Sequence, residues 1–170
     1  IPVAPEELEQ LQRNLLLSPP GGAGTSAHPE DPTNSYEADV IRAVIVIRLN
    51  AFLKGHSGVR PDLVRTLQAL VNRGIVPRVP IHGSVGSSGD LCPLSHLFVV
   101  LMGEGSWWVV RTPEDLGRQS RTMRHGLECL REDLGMDPAQ PSYKEGLALN
   151  NGTTFSAALL ALAVIDAERT

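Results

Sequence analysis

A chain of 170 residues is long enough for one domain with a packed core, and its 42% hydrophobic content with only 4% aromatics means a core of Leu, Val, Ile and Ala. The net charge of −4, with no long run of either sign, excludes a basic nucleic-acid surface. Two cysteines, Cys92 and Cys129, fit neither a metal-ligand spacing nor a disulfide framework, which points to a reducing, cytoplasmic setting.

No signal-peptide pattern is present, and the five histidines are too scattered to form a metal motif. The chain begins at Ile1 inside what reads as a folded segment, so it is expected to be part of a longer protein. In chain order, Pro5 to Leu17 reads as a helix. Pro5 suits the first turn, Glu6 and Glu7 suit the N-terminal dipole, and Leu8, Leu11 and Leu15 form an apolar face. Ser18 to Ser35, with four prolines and three glycines, is a long loop. Tyr36 to Lys54 is a helix closed by Gly55. Its segment Val40 to Leu53 is apolar on nearly every side and is expected to be buried all round. That segment is also the best membrane candidate, but it is too short to span and carries Arg42, Arg48 and Asn50.

Gly55 to Pro61 is a turn, Asp62 to Asn72 a helix stopped by Gly74, and Ile75 to Gly83 extended because its prolines forbid helix. Pro93 to Gly103 is helical, Ser106 to Val110 a short strand, Thr112 a helical start, and Arg121 to Gly135 an amphipathic helix. A short helix, a break at Asn150 to Gly152 and an apolar helix to Arg169 complete a mainly α chain with little strand and no internal repeat.

The stretch His82 to His96, "HGSVGSSGDLCPLSH", stands out between apolar segments. A phosphate-binding loop requires a Gly-Lys-Ser/Thr end and a hydrolase elbow requires G-x-S-x-G; neither spacing is present. A glycine-rich turn feeding a helix with Asp90 as N-cap and Pro93 in its first turn is well supported locally. A further reading uses the backbone as reagent. The amide nitrogen of Gly89 attacks the carbonyl carbon of Ser87, which a residue without Cβ permits. Loss of one water closes a five-membered ring, and loss of a second from Ser88 leaves a 4-methylidene-imidazol-5-one, an electrophile made with no external cofactor and no metal.

"GSVGSSGDLCPLSHL" resembles the signature of the aromatic amino acid ammonia-lyases and aminomutases, G-[ST]-V-G-A-S-G-D-L-[AS]-P-L-[AS]-H. "LEQLQRNLLLS", "IRLNAFLKGHSGVRPDLVRTLQALVNRGIVPRVP", "LMGEG" and "KEGLALNNGT" resemble further segments of that family in the same order, so the likeness spans most of the chain. The resemblance implies the helical portion of the ammonia-lyase fold, in a homotetramer whose active sites draw on three subunits. It implies elimination of ammonia from an aromatic L-amino acid of the histidine, phenylalanine or tyrosine class to give a trans-arylacrylate. By the same resemblance, Ser87, Ser88 and Gly89 are the cofactor precursors, Asp90 assists ring closure or dehydration, Asn151 hydrogen-bonds the ring region, and Leu91 lines the substrate pocket. His82 and His96 flank the site in structural roles. A 2,3-aminomutase and a non-catalytic fragment with an uncyclised Ser-Ser-Gly are the alternatives.

Three departures matter. Ser87 stands where the family usually has alanine. The selectivity pair is Ser18-Pro19, where histidine lyases have Ser-His; proline has no hydrogen to donate to an imidazole or phenol. The family's base is a tyrosine in an upstream Gly-rich loop, and neither Tyr36 nor Tyr143 has that context.

Overall fold

The computed structural model describes residues 4–18, 34–84, 86, 89–110 and 123–170. The expected helical start at Thr112 lies outside them. Seven α-helices are described: α1 (Pro5–Leu17), α2 (Ala38–Leu53), α3 (Pro61–Asn72), α4 (Leu91–Phe98), α5 (Leu127–Leu134), α6 (Glu145–Asn150) and α7 (Thr154–Arg169). Three short strands, β1 (Ile75–Pro77), β2 (Ser106–Val109) and β3 (Arg124–His125), form one antiparallel sheet in that order. The chain is mainly α, as its sequence implies.

The helices meet around one core of aliphatic side chains with Phe98, Trp107 and Phe155. α2 packs on α7 and α3, α1 on α6 and α4, and α4 on α6. Proline opens α1 and α3, where a missing N–H costs nothing. Gly74 ends α3 with φ +66°; a Cβ there would stand 1.9 Å from the carbonyl oxygen of Val110, so only glycine lets the chain turn into β1 against β2. The register follows as Ile75 opposite Val109 and Trp107 opposite Arg124.

Several expectations need correction. The α2 segment is not buried all round: Val46 and Leu53 are exposed while Arg48 is buried. Its helix starts at Ala38, because the Tyr36 amide donates instead to the Val79 carbonyl. On α1 the buried positions are Gln12 and Leu16, whereas Leu11 is exposed. Gln12 is inside because its side-chain oxygen accepts the Gly146 amide at 3.0 Å. The segment Arg121 to Gly135 is not one helix. Gly126, at φ +86°, separates β3 from α5, and Arg124 is claimed by Trp107 across the sheet and by Asp133 through its Nε at 2.6 Å. The helix after the Ser/Gly stretch begins earlier than Pro93, at Leu91, and tightens to a 3-10 turn over Val99–Met102.

By length and composition the run Glu145–Arg169 could cross a membrane. Its backbone is broken at Asn151, which is extended at φ −107°, ψ 122°, so α6 and α7 are separate helices.

Glu145, 1% exposed, opens α6 and ties three segments together. Its carboxylate accepts from the Arg60 amide at 2.7 Å, from Arg60 Nη2 at 2.8 Å and from the Ser142 amide at 2.8 Å. Burial raises its pKa, but the hydrogen bonds from Arg60 and Ser142 and the charge of Arg60 outweigh burial and hold it below the ordinary glutamate value. The stability it adds is therefore present above the unfolded-state pKa of about 4.3 and is lost as pH falls through the lower folded-state value. Glu145→Gln is expected to cost about 2 kcal/mol, a figure limited by the exposure of Arg60, and to flatten the dependence of stability on pH below about 4.3. Urea unfolding of both proteins at pH 7 and pH 3 checks this.

Candidate functional site

Three stretches converge at the amino end of α4. The segment 34–36 runs against 79–81: the Tyr36 amide donates to Val79 and the Ile81 amide donates to Asn34 at 3.0 Å. The glycine-rich segment follows, and the turn between α6 and α7 closes over it.

Gly89 is the point of contact. It has φ +99°, and a Cβ on it would lie 2.8 Å from Oδ1 of Asn151 and 3.1 Å from the amide nitrogen of Gly152. Both the backbone conformation and the close approach exclude any side chain. The next amide, of Asp90, donates to the carbonyl of Gly152 at 2.8 Å. Gly89 and Asp90 thus lie flat against Asn151 and Gly152.

Asp90 immediately precedes α4 and is buried, but its carboxylate does not cap the helix. Asp90 thus holds the N-cap position as expected, without the side-chain hydrogen bond that usually goes with it. Its Oδ1 accepts the Ser84 hydroxyl at 2.7 Å, and the Ser84 oxygen accepts the Gly86 amide at 3.1 Å. A hydroxyl bridge therefore ties Ser84 to Asp90 across the segment that contains Ser87 and Ser88. Those two residues, and Pro19, lie outside the described residues. Leu91, the first residue of α4, is 38% exposed, which a plain core leucine would not be. Asn151 is exposed, with its amide donating to Leu147.

Ser18 ends α1 and is exposed. The C-terminal end of α1 is fastened to the residue before Asn151, since Asn150 Nδ2 donates to the Leu15 carbonyl at 2.9 Å. His82 is exposed. His96 faces its own helix, with Nδ1 3.0 Å from the Cys92 carbonyl oxygen, and burial holds its pKa below the ordinary histidine value.

Sequence reasoning missed three residues here. Ser84 is inside the signature but had no role before its bond to Asp90 was visible. Tyr36 meets Phe155 in a tilted ring contact, with centroids 4.9 Å apart and ring planes at 42°. Burial, then the Asp90 carboxylate and the Cys92 thiol, push its phenol above the ordinary tyrosine pKa. Arg48 donates to the carbonyl of Asn151 at 2.7 Å from beneath the turn. A cation in an apolar helical run was the available signal for Arg48; for Tyr36 nothing local pointed here.

Among the described residues, no cluster of three or more His, Cys, Asp or Glu could hold a metal ion. Gly89 with no room for a Cβ, the Ser84-held carboxylate of Asp90 and the exposed Asn151 thus meet at the start of α4.

A family model described as aromatic amino acid lyase matches residues 1–170. The histidine ammonia-lyase of Anaeromyxobacter sp. (strain K) is 45% identical over 163 residues, covering 96% of this chain and 30% of the relative. The structure of histidine ammonia-lyase from Trypanosoma cruzi superposes with a TM-score of 0.78 at 36% identity, over 96% of this chain and 28% of that one. Phenylalanine aminomutase from Pantoea agglomerans superposes with a TM-score of 0.78 at 27% identity, over 98% and 28%. The chain thus spans under a third of the length of these relatives. With the family model matching the chain from end to end, the protein belongs to the aromatic amino acid lyase family.

Proposed function

We propose that the protein containing this chain eliminates ammonia from an aromatic L-amino acid to give a trans-arylacrylate, with L-histidine the first substrate to test. The observation that carries this reading is Gly89 seated without room for a Cβ on Asn151 and Gly152, directly after two serines. Cyclisation of Ser87-Ser88-Gly89 to 4-methylidene-imidazol-5-one requires glycine at its third position, and the residues around Gly89 fit that group. The ring, when present, supplies an electrophile that turns the substrate amine into a leaving group.

The chain's own residues have separate tasks in this reading. Asp90, its Oδ1 held by Ser84, serves as the proton acceptor during ring closure or dehydration. The Asn151 carboxamide hydrogen-bonds at the ring's edge, since its Oδ1 already faces Gly89. Leu91 offers an apolar wall to the aromatic group, and Ser18 with Pro19 contributes to substrate choice. The β-proton is removed by a base contributed from outside these residues. A homotetramer in the cytoplasm, without metal, nucleic acid or membrane, completes the proposal.

Histidine is favoured because relatives such as the Anaeromyxobacter protein carry that activity in their names. The aminomutase alternative is favoured by the likeness to the Pantoea enzyme, and product analysis separates the two: a β-amino acid in place of free ammonia and arylacrylate. The non-catalytic alternative rests on Ser87 in place of alanine.

Peptide mapping of the purified protein across His82 to His96 is expected to show a mass short by two waters, and incubation with L-histidine is expected to release ammonia and an ultraviolet-absorbing arylacrylate. A peptide of full encoded mass would leave the fold relationship and remove the lyase reading. Gly89→Ala is expected to keep the full encoded mass and to lower stability by about 1–3 kcal/mol through overpacking against Asn151. The same mapping with a thermal melt checks both effects.

A further inference from the structure

Arg48 is 7% exposed on a helix whose neighbouring Val46 faces solvent, so the fold has chosen to bury the cation and expose the valine. None of the ion pairs among the described residues includes it. Burial lowers its pKa to about 10, which leaves it charged at neutral pH. Its guanidinium lies over the Phe52 ring, 5.5 Å from the centroid. Nη2 donates to the carbonyl of Leu149 at 2.8 Å and to that of Asn151 at 2.7 Å. Carbonyls at a helix C-terminus have no intrahelical partner, so the charge is matched to the two oxygens most in need of a donor.

The same guanidinium sets the shape of the turn. A Cβ on Gly152 would stand 2.6 Å from Nη1, so Arg48 packs flush under Gly152. The Gly152 carbonyl also accepts the Asp90 amide. The two-residue turn is thus held both by the guanidinium and by Gly89-Asp90. We infer that Arg48 is a positioning residue for this site: by holding the Asn151 and Leu149 carbonyls, it fixes the Asn151 carboxamide against Gly89. The inference rests on the lyase reading of that turn but acts through backbone alone. A lysine ammonium could reach the carbonyls, as Nη2 alone does here, but it lacks the second nitrogen that packs under Gly152 and so cannot hold the turn in the same place.

The test uses the full-length protein and Arg48→Lys, with L-histidine as substrate. The variant is expected to fold, with a wild-type circular dichroism spectrum, yet to lose hydrogen-exchange protection at the Asp90 amide. Its kcat should fall on the order of 10²-fold with a smaller change in KM, because the reacting groups are displaced rather than removed. The peptide spanning His82 to His96 should show incomplete loss of water. A folded Arg48→Lys protein with wild-type Asp90 protection, kcat and peptide mass would overturn the inference. If Arg48→Lys does not accumulate folded, Arg48→Gln decides by the same readings, since its neutral carboxamide removes the charge and the packing under Gly152 while leaving Gly152 itself unchanged. A wild-type peptide without the two-water deficit defeats the lyase reading, and Asp90 exchange then still decides the positioning role. A wild-type deficit with an unaltered variant defeats only the role of Arg48.

Discussion

The hydrogen bond from the Asp90 amide to the Gly152 carbonyl, made where two glycine-containing segments lie in contact, is the constraint on which the site depends. It can form only if Gly89 and Gly152 both lack a Cβ, because each would otherwise strike the opposing segment or the guanidinium beneath it. Once it forms, the start of α4 and the end of α6 are fixed relative to each other. The position of α1 follows from Asn150 and Gln12, and that of α2 from Arg48. Polar contacts thus set the site's geometry, while the aliphatic core behind them supplies most of the stability.

The arrangement divides labour between the two ends of α6. At its N-terminus Glu145, a buried anion, gathers amides and the Arg60 guanidinium. At its C-terminus Arg48, a buried cation, gathers carbonyls. Each charge is opposite in sign to the helix end it meets, so a helix of six residues is held in place without depending on its own weak propensity. That fixed placement is what an exposed carboxamide at Asn151 needs if it is to face Gly89 in one orientation.

Much of this was legible in the sequence, for reasons that differ by residue. Gly89 could be singled out because ring closure and tight turns both demand a residue without Cβ. The break at Asn150 to Gly152 could be seen because Asn and Gly interrupt an otherwise apolar run. Arg48 and Val46 could not be sorted by pattern, because a helix apolar on every side gives no phase, and tertiary packing chose which face to bury. Asp90 illustrates a different limit. Its position before α4 fits an N-cap, yet a competing hydroxyl, Ser84, takes the carboxylate instead. Tyr36 reaches the site only because its segment pairs with 79–81, a long-range backbone contact with no local signature. The sheet was partly visible: β2 was expected and the segment holding β1 was read as extended, but β3 lay in a segment whose apparent amphipathicity pointed to helix.

The placement of the two tryptophans gives the chain a private optical window. Trp107 and Trp108 are the sequence's only ones, adjacent on β2. Trp107 is fully enclosed, with its indole N–H donated to Asp133 Oδ2 at 2.7 Å, an oxygen that Arg124 also holds. Intrinsic emission therefore originates in the sheet and its bond to α5, not at the glycine contact. An unshifted emission band certifies that the sheet and its carboxylate anchor are intact, whatever has been altered around Gly89. A red shift marks the opening of that anchor to water, so light from one strand separates damage to the scaffold from damage to the chemistry.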